Sequence, residues 1–136
     1  MTTKFRSSFV LLVSIILCLA SSLTVGGTDA VPGKQLPVHP KILIAYHSLT
    51  GNTKKMAQSV ADGARSLENA VVIVKPVSTV TADDLFSSDA IIVGSPVYWS
   101  NMAGEVKTFF DNWQFKFGVY PEFKMRDKVG AAFSTG

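Results

Sequence analysis

The chain has 136 residues, of which 47% are hydrophobic, and this suits a single domain with a real core. Its formal net charge is +3. Two of the basic residues, Lys4 and Arg6, belong to an N-terminal segment that we expect to be removed. The remaining residues carry 11 basic and 10 acidic side chains, which gives a formal net charge of +1. Because the basic residues are also scattered, this balance gives no electrostatic reason to expect a nucleic-acid partner.

The first 30 residues have the pattern of a secretory signal. A positive start precedes an apolar run, residues 9–20, that is shorter than the about 20 residues of a membrane span. We therefore predict export, as a secreted or periplasmic protein, with an uncleaved membrane anchor as the alternative.

Cys18, the only cysteine, lies inside the run, so a mature chain would have neither disulfide nor thiolate chemistry. Residues 31–40 contain three prolines and predict a linker.

From Lys41 onward, strand-like and helix-like segments alternate. Four apolar runs predict buried strands, and they are Lys41–Tyr46, Val71–Val74, Ala90–Val93 and Val129–Phe133. Apolar residues at helical spacing predict helices over residues 53–67 and 103–113, and Thr81 followed by acids predicts a capped short helix. This alternation predicts an α/β domain over residues 41–136, with a doubly wound parallel sheet covered on both faces.

A hydroxyl-rich loop, Ser48-Leu49-Thr50-Gly51-Asn52-Thr53, joins the first predicted strand to the first helix. Backbone N–H groups converge at such a helix N-terminus, and the helix dipole favours an anion there. The loop contains no lysine or arginine, so N–H groups and the hydroxyls of Ser48, Thr50 and Thr53 would hold a phosphate. It matches neither G-x-x-x-x-G-K-[ST] nor G-x-G-x-x-G. A tight turn with a good N-cap is the alternative interpretation.

Two more polar loops follow predicted strands. Residues 94–102 follow the third strand, and Ser134-Thr135-Gly136 follow the fourth. Ligands of parallel sheets bind beyond the C-terminal strand ends, so the three loops together predict one ligand site. Core packing is the alternative interpretation for Tyr98 and Trp99. The aromatic residues of the next helix lie at helical spacing and predict core or subunit contacts.

These segments resemble the flavodoxin-like FMN proteins. Ser48–Thr53 is similar to their S/T-x-T-G-x-T phosphate loop. Residues 94–111 look most like the branch of NAD(P)H:quinone oxidoreductases related to the tryptophan-repressor-binding protein, with its G-[ST]-P-x-x-[aromatic]-x-N-M stretch. Lys128–Gly136 resembles the G-K-x-G-x-x-F-x-[ST]-x-G stretch of that branch. The resemblance covers residues 41–136 and implies the strand order 2-1-3-4, with a fifth strand missing.

The resemblance also implies roles for residues in all three loops. The FMN phosphate would lie against the residues of the first loop, Ser48, Leu49, Thr50, Gly51, Asn52 and Thr53. The isoalloxazine ring would lie along Pro96, Val97, Tyr98, Trp99, Ser100 and Asn101. The ring pocket would be completed by Ser134, Thr135 and Gly136. No catalytic side chain and no metal is predicted, because flavin chemistry resides in the cofactor.

The function implied by the resemblance is an FMN-dependent oxidoreductase that reduces quinone-like acceptors with NAD(P)H. A flavodoxin-type electron carrier serving a redox partner is one alternative, and a truncated module without catalysis is another. Ser100 departs from the branch, because glycine usually precedes its Asn-Met pair. The aromatic residues within 114–125 would line a quinone pocket above the flavin, or form a packed surface loop or a dimer contact.

Two further expectations concern His47 and the last strand. His47 is interpreted as structural, because no carboxylate lies near it in the sequence. The last predicted strand, Val129–Phe133, would present an open apolar edge. Such an edge favours association. We therefore expect either that the sequence is a fragment or isoform, or that another chain covers this edge, with a homo-oligomer as one possible arrangement.

Overall fold

Parallel strands form the centre of the computed structural model, which describes residues 39–136. The signal segment and most of the linker predicted from the sequence lie outside the described residues. The strands are β1 (Lys41–Tyr46), β2 (Val71–Pro76), β3 (Ala90–Tyr98), β4 (Asn101–Met102) and β5 (Val129–Thr135). The helices are α1 (Asn52–Arg65), α2 (Ala82–Ser87) and α3 (Gly104–Phe115), with a short 3-10 turn at Val77–Thr79.

The sheet has the order β2-β1-β3-β5, and all of these pairs are parallel. The two-residue strand β4 folds back antiparallel onto the end of β3 and forms a hairpin with it. The predicted α/β class and the strand order 2-1-3-4 are therefore confirmed, and the fourth predicted strand is β5. β1 lies between two partners, which explains why five of its six residues are buried.

The side chains of β1 alternate between two apolar clusters, one on each face of the sheet. Leu43 and Ala45 belong to the cluster beneath α2 and α3, where Leu85, Val106 and Phe109 are also buried. Ile42, Ile44 and Tyr46 belong to the cluster beneath α1, where they pack against Ala57 and Ala61. This two-residue alternation places helices on both faces and leaves only the ends of the strands for a ligand.

Strand β3 extends further than its apolar run indicates. It continues through Pro96, which the sequence places just after the strand, and ends at Tyr98. β1 pairs with β3 only as far as Gly94, and the His47 N–H then donates to the Gly94 carbonyl at 3.0 Å. The β1–β3 ladder therefore ends before Pro96, and the missing N–H of this residue breaks no bond of that ladder.

Helix α2 begins with the capping box predicted at Thr81. The Thr81 hydroxyl accepts from the Asp84 N–H at 3.2 Å, and an Asp84 carboxylate oxygen accepts from the Thr81 N–H at 2.9 Å. Lys75 Nζ donates to both carboxylate oxygens of Asp84 at 2.8 Å. Burial alone would raise the pKa of Asp84, but the hydrogen bonds from Lys75 and Thr81 together lower it to about 2.

We expect Asp84→Asn to destabilise the fold by about 2 kcal/mol at pH 7, because the lowered pKa of the native carboxyl group reports that much stabilisation of its charged form. This contribution is fully present above about pH 4 and is lost as the pH falls through about 2. Urea unfolding of the two proteins between pH 2 and pH 7 measures the difference. Asp83→Asn is the matched control, because Asp83 is exposed in the same helical turn. A wild-type advantage that stays constant down to pH 2 would contradict this account.

Candidate functional site

The carboxyl ends of β1, β3 and β5 lie side by side at one edge of the sheet. Tyr46 of β1 is in register with Gly94 of β3, and Gly94 is in register with Phe133 of β5. The three polar segments that follow these positions are the β1–α1 loop, the β3–β4 hairpin and the end of β5. The parallel register therefore brings the three predicted loops to the same edge.

The β1–α1 loop presents backbone donors at the start of α1. Gly51 occupies the N-cap position in a left-handed conformation, with φ of 93°, and no side chain caps the helix. The Ser48 hydroxyl oxygen accepts from the Gly51 N–H at 3.1 Å, which orders the loop. The first N–H groups of α1 consequently lack the side-chain partner that an N-cap residue usually supplies. This is the arrangement that binds an anion at a helix N-terminus.

A hydroxyl–hydroxyl hydrogen bond joins the β1–α1 loop region to the end of β5. Thr53 Oγ1 lies 2.8 Å from Thr135 Oγ1, across 82 residues of sequence. Thr53 is only 2% exposed, so its hydroxyl group is largely shielded from solvent and bonds to Thr135. The predicted phosphate-binding and ring-binding segments are thereby held together. Leu49, Thr50 and Asn52 are exposed and form the outer rim of the loop.

The β3–β4 hairpin projects from the same edge. Its two central residues, Trp99 and Ser100, have φ values of 49° and 62°, and Tyr98 pairs with Asn101 on either side of them. Positive φ at both central positions is the geometry of a type I′ turn, which usually has Asn or Gly at these positions. The Asn101 side-chain oxygen accepts from the Met102 N–H at 2.8 Å. The turn leaves the Trp99 ring fully exposed to solvent.

Two residues that were not predicted as site residues support this edge. The buried Ser95 hydroxyl accepts from the Ala103 N–H at 2.9 Å and donates to the Pro96 carbonyl at 2.8 Å, so it ties the hairpin to the start of α3. At Gly94, a Cβ atom would overlap the ring of Phe133 from the neighbouring strand. A glycine at the end of an apolar strand is the signal that indicates such a close approach.

His47 has a carboxylate partner that the sequence did not reveal. Its Nε2 lies 3.5 Å from an Oε atom of Glu105 in the first turn of α3. The imidazole is mostly covered, whereas the Glu105 side chain is more than half exposed. The contact connects the end of β1 with α3. The reason given for a structural role, the lack of a nearby carboxylate in the sequence, therefore does not hold in the folded chain, and the role of His47 stays a prediction.

The aromatic residues between 114 and 125 do not lie near the hairpin. Helix α3 starts at the site edge and runs for 12 residues, about 18 Å, toward the opposite edge of the sheet. There the segment after α3 packs near the beginning of β3, where Lys124 Nζ lies 5.2 Å from the centre of the Phe86 ring. Phe115, Tyr120 and Phe123 of this segment are exposed. The quinone pocket, the packed surface loop and the dimer contact therefore all stay predictions for these residues.

The part of the chain that the structure describes contains neither a cluster of metal ligands nor a membrane-spanning helix. Within residues 39–136, no three or more His, Cys, Asp or Glu side chains are grouped in a way that could hold a metal ion. No helix in the same range is both long and apolar enough to cross a membrane.

A family model for the flavodoxin domain matches residues 43–115, which is more than half of the chain. The chain belongs to the flavodoxin family. A flavodoxin from Aquifex aeolicus (strain VF5) is 46% identical over 72 residues, which are 53% of this chain and 39% of that protein. This chain therefore spans about two fifths of the length of that relative.

Solved structures resemble the fold over most of the described residues. A flavodoxin, WrbA-like protein from Agrobacterium tumefaciens is 27% identical with a TM-score of 0.55, and the match covers 70% of this chain and 59% of that one. Flavodoxin 2 from Bacillus cereus is 29% identical with a TM-score of 0.51, covering 69% and 60% respectively. The flavodoxin family implies FMN as the cofactor.

The residues at the sheet edge fit such a cofactor. The first turn of α1 offers N–H donors without a side-chain cap, as a phosphate group requires. The left-handed Gly51 has nothing within 4 Å of the position of a Cβ atom, so the loop is open on that side. Trp99 and Tyr98 present exposed aromatic surface at the same edge of the sheet, as a planar ring requires.

We expect Ser100→Gly to stabilise the protein by about 0.5–1 kcal/mol, because a left-handed conformation costs a residue with a Cβ about 1–2 kcal/mol and the greater freedom of glycine in the unfolded chain offsets part of the gain. Thermal unfolding of the two proteins measures the difference. Ser100→Ala is the matched control, because it removes the hydroxyl but retains the Cβ atom. A stabilisation by alanine equal to that by glycine would show that the conformation of Ser100 is not the cause.

Proposed function

We propose that this chain binds FMN at the shared end of β1, β3 and β5 and acts as a flavodoxin-type electron carrier. The observation that supports this most strongly is the uncapped start of α1, held against β5 by the 2.8 Å contact between Thr53 and Thr135. The loop that would bind the phosphate and the strand end that would border the ring are thereby in contact, which supports a single site.

The phosphate would be bound by main-chain donors and hydroxyls. The N–H groups at the start of α1 would point at it, and the helix dipole would add a favourable field. The Ser48 hydroxyl, which accepts from Gly51, retains its own hydrogen as a donor. The exposed Thr50 hydroxyl would supply another. Thr53 would contribute chiefly its N–H, because its hydroxyl is paired with Thr135.

The ring would be held largely by aromatic contact. Trp99 is fully exposed, and a planar ligand would cover one face of its indole ring. Covering about 100 Å² of apolar surface at about 25 cal/mol per Å² gains roughly 2–3 kcal/mol. Tyr98, which is 40% exposed, would extend the contact surface. Val97, Ser100 and Asn101 would hold the hairpin in the conformation that presents these rings.

Bound FMN would supply the chemistry of accepting electrons and passing them on. The protein would tune that chemistry through the N–H groups of the hairpin turn, Trp99 and Ser100, which would stabilise negative charge at the polar edge of the ring. Ser134 and Gly136, beside Thr135, would border the ring pocket. No side chain would need to donate or accept a proton in the transfer.

A second candidate function is the reduction of quinone-like acceptors with NAD(P)H. The hairpin sequence Trp99-Ser100-Asn101-Met102 favours it, because it resembles the quinone-reductase branch, and a WrbA-like protein is among the similar structures at 27% identity. The carrier is favoured as the first candidate because the curated relative at 46% identity is a flavodoxin. It is also favoured because the aromatic residues within 114–125, which would line a quinone pocket, follow a helix that leads away from the hairpin within this chain.

Location remains part of the proposal. The signal-like segment predicted in the first 30 residues would direct the chain out of the cytosol, or anchor it at a membrane if it is not cleaved. In either case, FMN would have to be available in that compartment for the site to be loaded.

The binding mode predicts that FMN and riboflavin respond differently to Gly51→Ala. A Cβ atom at a φ of 93° costs about 1–2 kcal/mol, so the β1–α1 loop of the free variant should relax from this conformation and FMN binding would have to restore it. We therefore expect the dissociation constant for FMN to rise roughly tenfold. Riboflavin lacks the phosphate, so its weaker binding should change little. Quenching of flavin fluorescence on titration measures both constants.

Trp99→Ala is the matched control for this pair of titrations. It removes ring contact, so the affinities for FMN and riboflavin should fall by a similar factor. Equal losses of both ligands in Gly51→Ala would contradict phosphate binding by the β1–α1 loop. Failure of the wild-type protein to bind FMN would contradict the proposed function as a whole.

The two candidate functions predict different reactions with nicotinamide. For the carrier, we expect FMN bound to the protein to stay oxidised when NADH or NADPH is added without oxygen, and to be reduced by dithionite. Visible absorption near the flavin maximum records the outcome. Bleaching by NAD(P)H, followed by recovery when a quinone is added, would favour the oxidoreductase instead.

A further inference from the structure

Lys54 and Lys55 lie side by side at the start of α1, directly after the β1–α1 loop, and both are exposed. Every other lysine or arginine side chain within residues 39–136 contacts a carboxylate, a hydroxyl or carbonyl oxygen, or an aromatic ring. Lys54 and Lys55 have no such contact with any residue that the structure describes. Two uncompensated positive charges are therefore present at the edge of the sheet that carries the candidate site.

The position of these lysines costs the helix stability. The helix dipole makes the N-terminus of α1 positive, which favours acidic side chains there and disfavours basic ones. The first turn contains no acidic residue, and the single acidic residue of the helix, Asp62, lies toward its other end and pairs with Arg65 at 2.9 Å. No carboxylate within the described residues therefore stabilises the two charges, and both are available to a negative group from outside the domain.

The surface around the lysines also contains an exposed apolar side chain. Side chains of an α-helix lean toward its N-terminus, so Lys54 and Lys55 extend toward the β1–α1 loop, where Leu49 is 80% exposed. The helices that begin with acidic residues, α2 and α3, cover the opposite face of the sheet. Leu49, Lys54 and Lys55 thus form a surface with apolar contact area and positive charge beside it, a composition that suits a protein–protein contact.

We propose that a redox protein with an acidic surface docks on Leu49, Lys54 and Lys55. The inference rests on the proposed function, because it names the kind of partner that the same site would serve. In each transfer, one electron would leave reduced FMN and reduce the one-electron acceptor that the partner carries. Opposite charges would orient the partner and accelerate the encounter. Transient redox complexes bury less than about 1,200 Å² in total, so a small surface is sufficient.

The small number of charges favours a protein over other polyanions. Segments that bind anionic lipid headgroups contain clusters of about four to eight lysines or arginines. The first two turns of α1 contain only Lys54 and Lys55. Two charges beside one apolar side chain instead match a few carboxylates on the surface of a partner. The FMN phosphate is the other negative group at this edge, and the experiment separates it from the partner.

Oxidation of the FMN-loaded, full-length chain by small reagents of opposite charge tests the surface. The protein is reduced by light without oxygen and mixed in a stopped-flow instrument with ferricyanide, an anion, or with tris(phenanthroline)cobalt(III), a cation. At an ionic strength of about 0.01 M, we expect Lys54→Gln/Lys55→Gln to slow the reaction with ferricyanide roughly tenfold, because two nearby attractive charges are removed. The reaction with the cobalt complex should become faster, and both effects should shrink at high salt.

Lys116→Gln/Lys124→Gln is the matched control, because it removes the same charge at the opposite edge of the sheet. We expect it to change either rate by less than about twofold at the same ionic strength. Circular dichroism checks that each variant is folded. Equal effects of the two double variants would overturn the proposal. An unchanged rate with ferricyanide in Lys54→Gln/Lys55→Gln would also overturn it, because it would show that the bound phosphate already neutralises these lysines.

A binding measurement that needs no electron transfer completes the test. Fluorescence anisotropy of a rhodamine-labelled glutamate homopolymer measures its affinity for the full-length chain with and without FMN. We expect Lys54→Gln/Lys55→Gln to weaken this binding at least fivefold more than the control variant at low salt. Equal weakening, or tighter binding to vesicles of phosphatidylserine than to the homopolymer, would overturn the proposal. Failure of the wild type to bind FMN would instead contradict the proposed function, and the electron transfer with it.

Discussion

The parallel register of β1, β3 and β5 is the constraint from which the site follows. Tyr46, Gly94 and Phe133 stand at the same level of the sheet, so the three segments that follow them must emerge side by side. The loop and the hairpin offer different kinds of contact, so the candidate site needs both of them. The register depends on the buried apolar residues of β1, which tie both faces of the sheet to helices.

The two parts of the candidate site, the β1–α1 loop and the β3–β4 hairpin, are stabilised by different contacts. The β1–α1 loop is ordered by Ser48 and by Gly51 in a left-handed conformation, and it offers backbone donors of fixed direction. The hairpin is supported by the buried Ser95 hydroxyl at its base, while its tip carries an exposed indole ring. Fixed donors suit a phosphate, whereas an exposed aromatic side chain suits contact with a planar ring.

Much of this architecture could be predicted from the sequence, because uninterrupted apolar runs and helical spacing identify buried parallel strands and their covering helices. The contact between Thr53 and Thr135 could not, since it joins residues 82 positions apart. The turn at Trp99 and Ser100 could not be predicted from the sequence either, because neither residue type commonly adopts positive φ. The position of residues 116–128 could not be predicted either, because it depends on the 12-residue length of α3, which carries the following segment away from the hairpin.

Hydrogen–deuterium exchange with and without FMN tests most directly whether the three strand ends form one site. The account predicts that FMN slows exchange together in residues 48–54, in the hairpin around Trp99 and at the end of β5. It predicts no change in residues 116–128, which lie at the other edge of the sheet. Protection confined to a single loop, or strongest in residues 116–128, would contradict it.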